Sequence, residues 1–153
     1  MADAQWLNSD NEERSDLHRT IREFVAARLQ GDVATYLEFF APKARLNIPG
    51  NPVLNPLSGT RIGREDIGKQ LIRMRGQNIY LHHEIDDIIS SRDMVAVHWR
   101  VTIRSSATGQ ERELEILTHL RLQDRQVVEM SEYFDTGAAS LMRGHLPLRN
   151  SGA

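Results

Sequence analysis

Between Val95 and Arg104 the chain alternates without a break. Val95, Val97, Trp99, Val101 and Ile103 are large and apolar, and Ala96, His98, Arg100, Thr102 and Arg104 fill the positions between them. A period of two is the mark of a strand with one face in a core. The same period runs through residues 78–90, 94–106, 110–123 and 126–135, separated by Ser91-Arg92-Asp93, Ala107-Thr108-Gly109 and Asp124-Arg125. Connections this short predict hairpins, and hence an antiparallel meander. Folding the chain back at Thr108 pairs Trp99 with Ile116, Val101 with Leu114 and Val97 with Thr118 on the inner face. The same register sets Arg104 opposite Glu111 and Arg100 opposite Glu115 outside. Opposite charges facing each other across strands contribute roughly 0.2–1 kcal/mol, so sidedness and charge select one register. A second reversal at Asp124-Arg125 then brings Ser131, Tyr133 and Asp135 inward.

Ahead of the meander the period is helical. The first eight residues read as a loose arm, and Ser9 to Glu12 or Asp10 to Glu13 is spaced for a capping box that starts a helix. Leu17, Ile21, Phe24, Val25 and Leu29 make one apolar stripe, and Gly31 supplies a left-handed stop. A short second helix follows, with Val33, Tyr36, Leu37 and Phe40 inward and Pro42 as its end. Ala44–Ile48 reads as a strand, Pro49-Gly50-Asn51-Pro52 and Asn55-Pro56-Leu57-Ser58-Gly59 as a turn-rich loop. Gly63 to Met74 is a third helix with Ile67, Leu71 and Met74 on its buried stripe. Helices first and a meander last predict a single α+β domain over residues 1–153.

Composition narrows the functional classes. Of 153 residues 40% are hydrophobic and 26% charged, with a formal net charge of −2 and no basic block, which argues against a nucleic-acid partner. Cysteine is absent, so disulfides, thiolate metal sites and cysteine nucleophiles are excluded together. Met1-Ala2-Asp3-Ala4-Gln5-Trp6 lacks a basic flank and an apolar core of signal length, and no run approaches the ~20 apolar residues of a membrane helix. The expectation is a cytoplasmic protein with no membrane partner.

This layout, with Gly31-Asp32 between two helices and Glu132-Tyr133-Phe134-Asp135 ending the last strand, resembles the nuclear transport factor 2-like superfamily, in its SnoaL-like and limonene epoxide hydrolase-like branch. The resemblance spans helix one to Leu146-Pro147-Leu148-Arg149. It implies a cone: a strongly curved antiparallel sheet wrapping three N-terminal helices around an enclosed pocket, often in a homodimer joined through the outer sheet face. Two of the superfamily's known catalytic sets are broken here. Where ketosteroid isomerases carry a tyrosine, an aspartate base and a second acid, this chain has Phe24, Ile48 and Thr118. The epoxide hydrolase Arg-x-Asp falls on Trp99-Arg100-Val101 and its Tyr-x-Asn on Arg45-Leu46-Asn47, so only Asn47 and the final Asp135 remain.

The candidate site residues follow from this frame. Asp135, inward beside Tyr133, would be a desolvated carboxylate suited to acid or base work, or else an N-cap for Thr136-Gly137-Ala138. His83 and Asp87 share a strand face with Leu81, Ile85 and Ile89 in one register, whereas the other turns His82, Glu84 and Asp86 inward. Adjacent His82 and His83 point oppositely and cannot grip one metal. His98 and His119 fall on the outer face. Asn47 is a pocket amide or a turn residue. Trp99, Tyr36, Val101, Leu114 and Ile116 would line the pocket, with hydroxyls from Thr118 and Tyr133 orienting a ligand. The resulting expectation is a SnoaL-like enzyme of cyclase, dehydratase, isomerase or hydrolase type. It would act without a cofactor or metal on a small apolar oxygenated molecule, Asp135 transferring a proton and His83 or Asn47 positioning water or substrate. The competing expectation is a non-catalytic dimeric ligand-binding or protein-interaction module. The small subunit of a ring-hydroxylating oxygenase fits less well, since no extended partner-binding arm is visible.

Overall fold

The computed structural model describes residues 3–144. In chain order they form α1 (Asp3–Gln30), α2 (Val33–Glu38), β1 (Phe40–Ile48), β2 (Gly59–Ile62), α3 (Arg64–Gln77), β3 (Asn78–Ser91), β4 (Met94–Ser105), β5 (Glu111–Gln123), β6 (Gln126–Tyr133) and α4 (Thr136–Met142). The six strands make one open, curved sheet in the order β2-β1-β6-β5-β4-β3. The helices lie against its concave side. Among the described residues no helix is long and apolar enough to cross a membrane.

The alternation in β4 does what its period requires: Val95, Val97, Trp99, Val101 and Ile103 are all buried. Across the next hairpin Trp99 faces Ile116, Val101 faces Leu114, Val97 faces Thr118, Arg104 faces Glu111 and Arg100 faces Glu115. Arg104 Nε donates to Glu111 at 2.8 Å. Arg100 leans the other way, donating from Nη2 to Asp86 at 2.7 Å and Glu84 at 2.9 Å, while Glu115 meets His98 at 2.7 Å.

Four expectations need correction. First, α1 begins at Asp3, so residues 3–8 are helical and Ser9 and Asp10 lie inside the helix rather than at a cap. Nothing between Asp3 and Gln30 is a glycine or proline, so the helix has no breaker before Gly31, whose φ of 75° provides the expected stop. Second, α2 ends at Glu38 and Phe40-Ala41-Pro42 already belong to β1. The β1–β6 register slips between Phe40 and Arg45, and a proline is tolerated in such a slip because it interrupts no ladder bond. Arg64 secures the slipped segment, with Nε and Nη2 both donating to the Phe40 carbonyl at 2.8 and 2.6 Å. Third, β1 runs parallel to β6, so the sheet is mixed rather than wholly antiparallel. Fourth, the turn-rich loop returns as β2, paired with β1 from Arg45–Ile62 to Ile48–Gly59.

The β5–β6 reversal is the least comfortable turn. Asp124 and Arg125 take φ values of 49° and 63°, a left-handed pair that non-glycine residues adopt at a cost of about 1 kcal/mol or more each. Replacing the pair by Asn-Gly, as Asp124→Asn with Arg125→Gly, should stabilise the domain by about 1 kcal/mol, seen as a Tm gain of about 2–4 °C. An unchanged or lower Tm would mean that the native side chains make contacts worth more than the relieved strain.

Candidate functional site

The α1 stripe that buries Ile21, Phe24 and Val25 carries a guanidinium one turn further on. Arg28 is 3% exposed and Glu132, on the inner face of β6, 1%. They form a two-point ion pair, Nη2 to Oε1 at 2.6 Å and Nη1 to Oε2. Thr118 Oγ1 donates to Glu132 Oε2 at 3.1 Å, and Trp99 Nε1 donates to Thr118 Oγ1 at 3.0 Å. The guanidinium carbon lies 5.3 Å from the Trp99 ring centroid, within cation–π range. Burial alone would pull the Arg28 pKa down, but the Glu132 carboxylate outweighs it and holds the arginine charged. Burial pushes the Tyr36 hydroxyl up, against the opposing pull of Arg28, so that the ring stays neutral.

Beside this pair lies a cavity of about 10 Å³, lined in part by Arg28, Tyr36, Gln70, Met74, Met130 and Glu132. That is room for one water at most. The enclosed pocket expected for a ring-sized ligand is therefore closed in this state. Tyr36 is packed among aromatic rings, 5.0 Å from Phe24 and 5.1 Å from Phe40 between centroids. Val101, Leu114 and Ile116 are core, and Thr118 serves the ion pair. Two buried polar atoms on the lining residues have no partner: Arg28 Nε, a donor, and Gln70 Oε1, an acceptor. A larger concavity, about 920 Å³, opens between α1 and the tips of the β3–β4 and β5–β6 hairpins, with Leu17, Ile21 and Phe24 on its floor and Arg92, Asp93 and Asp124 on its rim.

The proposed acid does not reach the interior. Asp135 is exposed and caps α4, its Oδ1 accepting from Ala138 N at 2.8 Å. Tyr133 is exposed opposite Leu117, and Ser131 stands opposite His119 on the outer side. The physical reason is a bulge. Leu122 pairs with Val127 but Arg121 with Glu129, so β6 gains a residue and every later side chain changes face. Glu132 takes the inward place opposite Thr118.

Two similar slips divide β3, between Tyr80 and His82 and between Ile85 and Asp87. His83 thus shares its face with Val101, and Ile85 with Trp99, but His83 is exposed and takes no part in the ion pair's hydrogen bonds. Asp87 falls on the outer side opposite His98. Glu84 and Asp86 bond Arg100 there as well, so neither register expected for this strand holds along its length. Asn47 alternates with buried Leu46 and Ile48, points away from the core and accepts from Thr60 Oγ1 at 3.2 Å. Asp135, His83 and Asn47 are not brought together. Among the described residues no three His, Asp or Glu side chains converge as a metal site.

Arg28 and Glu132 were the residues to find, and each left a trace. Arg28 stands seven positions after Ile21, on the helical stripe where only apolar residues belong. In the last strand the buried positions Val127 and Met130 stand three apart, but Val128, two before Met130, keeps an ordinary step of two in the sequence and makes Glu132's trace ambiguous.

The comparisons with known proteins agree with this architecture. The SnoaL-like domain family matches residues 21–130. A candidate isomerase from Bacillus subtilis superposes with a TM-score of 0.77 at 17% identity, covering 90% of this chain and 99% of that one. Bal32a, from a soil-derived mobile gene cassette, gives 0.72 at 24% identity over 84% and 96% of the two chains. A candidate SnoaL-like polyketide cyclase from Mesorhizobium loti gives 0.61 at 15% identity over 73% and 93%. No functionally curated protein matches the chain. At these identities the structures speak for the fold alone. The family match, which covers most of the chain, together with the helix-lined curved sheet, makes this protein a member of the SnoaL-like domain family, with the nuclear transport factor 2-like fold.

Proposed function

We propose that the protein is a SnoaL-like proton-transfer enzyme of the isomerase or cyclase type, acting inside the cone on a small apolar carbonyl compound, with Glu132 as its working carboxylate in place of Asp135. The observation that carries this reading is the buried Arg28–Glu132 pair beside a cavity with one orphan donor and one orphan acceptor. A buried ion pair is seldom the most stable filling for a core, since matched apolar residues often stabilise by more. A role in chemistry would account for its place at the wall of the interior cavity.

The step is a proton transfer. A C–H bond next to the carbonyl breaks, the proton passes to a Glu132 oxygen, and the electron pair moves to the carbonyl oxygen as an enolate. Arg28 Nε, without an acceptor in the closed interior, donates to that oxygen where the charge develops. Admitting the substrate requires the cavity wall to give way, and Met74 and Met130 are the lining side chains best able to repack. We place the homodimer contact on the outer face, where Leu117 and Tyr133, both near half exposed, face each other across β5 and β6.

A second reading has its own support. The closed cavity and the two-point grip of Arg28 on Glu132 suit a non-catalytic binding module in which the pair only fixes the packing of α1 on the sheet. Proton exchange separates the two. In D₂O, followed by proton NMR, the wild type should accelerate loss of the α-hydrogen signal from a panel of ring ketones, beginning with 1-tetralone. Glu132→Gln should bring the rate down by about 10²–10⁴-fold, the usual worth of a general base. No acceleration of any ketone that binds would favour the binding module. Stability provides an independent check: Glu132→Gln strands a buried guanidinium and should cost about 3–5 kcal/mol, whereas Arg28→Met with Glu132→Leu should fall within about 1 kcal/mol of wild type or above it.

A further inference from the structure

The buried charges do not balance. Among the described residues the buried ionised side chains are Arg28, Glu132 and Arg143. Glu132 answers Arg28, but Arg143, 6% exposed, has only neutral amides: its Nε donates to Asn78 Oδ1 and its Nη1 to Asn55 Oδ1, both at 3.3 Å. These are long for bonds from a charged donor, which usually settle near 2.7–2.9 Å when the acceptor is an anion. Asn55 is wholly buried. Its Oδ1 also accepts from Leu57 N at 3.4 Å, and its Nδ2 donates to nothing. A guanidinium and a buried amide N–H thus stand side by side with, among the described residues, no anion to share.

This cluster adjoins the interior cavity. Asn78 Nδ2 donates to the Met74 carbonyl at 2.9 Å and Gln70 Nε2 to the Leu57 carbonyl at 2.8 Å, and both Met74 and Gln70 line the cavity. Tyr80 lies between the two arginines electrostatically: burial raises its hydroxyl pKa, and Arg28 and Arg143 both oppose the rise.

We propose that Arg143, with Asn55, seats a carboxylate of the ligand, so that the carbonyl compound taken into the cone is an organic acid, with one carboxylate on an otherwise apolar frame. The inference rests on the interior site proposed above and names its substrate class. Arg143 would bind one carboxylate through its planar fork, and Asn55 Nδ2 would complete the acceptor's partners. The carbonyl end of the same molecule would then lie toward Arg28 and Glu132. Arg143 positions the substrate and takes no part in moving the proton.

The test is thermal-shift titration of the full chain with benzoate, 2-naphthoate and octanoate, each against its matching primary alcohol. At least one acid should raise the Tm with a dissociation constant at least tenfold below that of its alcohol. Arg143→Met should lose that preference, and Arg143→Lys, which keeps the charge without the fork, should retain only part of it. Without ligand Arg143→Met should melt no lower than wild type, because it replaces an unanswered buried cation by an apolar side chain. A role for Arg143 as mere scaffold predicts the opposite, a lower Tm with acid preference intact in Arg143→Lys. The inference is overturned if no acid binds, if acids and alcohols bind alike, or if acid preference survives Arg143→Met. Glu132→Gln, or Arg28→Met with Glu132→Leu if the single variant does not fold, separates the two proposals. Acid preference kept there with proton exchange lost supports both. Exchange absent from the wild type with acid preference still dependent on Arg143 removes only the proton transfer.

Discussion

Everything inside this cone is arranged around one ion pair. Arg28 comes from the first helix and Glu132 from the last strand, 104 residues later, and their two-point contact ties the helical layer to the centre of the sheet. Once that pair is buried, its neighbours are constrained. Glu132 needs a further donor, which Thr118 supplies, and Thr118 in turn takes the indole N–H of Trp99. Trp99 offers its ring to the guanidinium. Each group satisfies the next, and in a low-dielectric interior such a chain holds only when nearly complete. The chain is incomplete at Arg28 Nε, and Gln70 Oε1, outside the chain but lining the same cavity, is a second buried polar atom without a partner.

The sequence made the sheet legible because β4 and β5 obey a period of two without interruption. Apolar alternation and charge pairing fixed one register there, and all five of its expected pairs form. Legibility failed where a strand gains a residue. One extra position in β6 turned Tyr133 and Asp135 outward and Glu132 inward, and the slip between Ile85 and Asp87 in β3 put His83 and Asp87 on opposite faces. Parity is a running count, so a single bulge corrupts every assignment after it. Helix α1 failed differently. A charged residue on its apolar stripe is ambiguous by itself, because arginine is buried only when a partner is present. That partner lies on another element, beyond the reach of any local pattern.

The outer face shows how the same strands serve a second purpose. Arg100, Arg104, Arg121 and His98 each meet carboxylates from the neighbouring strands, so most of this surface is neutralised within the domain. Exposed pairs of this kind contribute less than about 1 kcal/mol each, too little to explain the fold. Their effect is on register and on association. They leave Leu117 and Tyr133 as an exposed apolar spot among matched charges, the spot on which the proposed homodimer contact rests.

The interior is also where stability and function pull apart. A chain optimised only to fold would fill these positions with leucine and methionine, leaving no guanidinium without an anion and no amide without an acceptor. Instead α1, the loop before β2, the start of β3 and the end of α4 each contribute a polar group to the space under the sheet: Arg28, Asn55, Asn78 and Arg143. These four come from separate elements of the fold, so no single local preference can have put them there. Two of them, Arg28 through Nε and Asn55 through Nδ2, hold a buried donor without an acceptor, and Arg143 meets only neutral amides; donors to spare in a low-dielectric interior are what the proposed organic-acid ligand would satisfy.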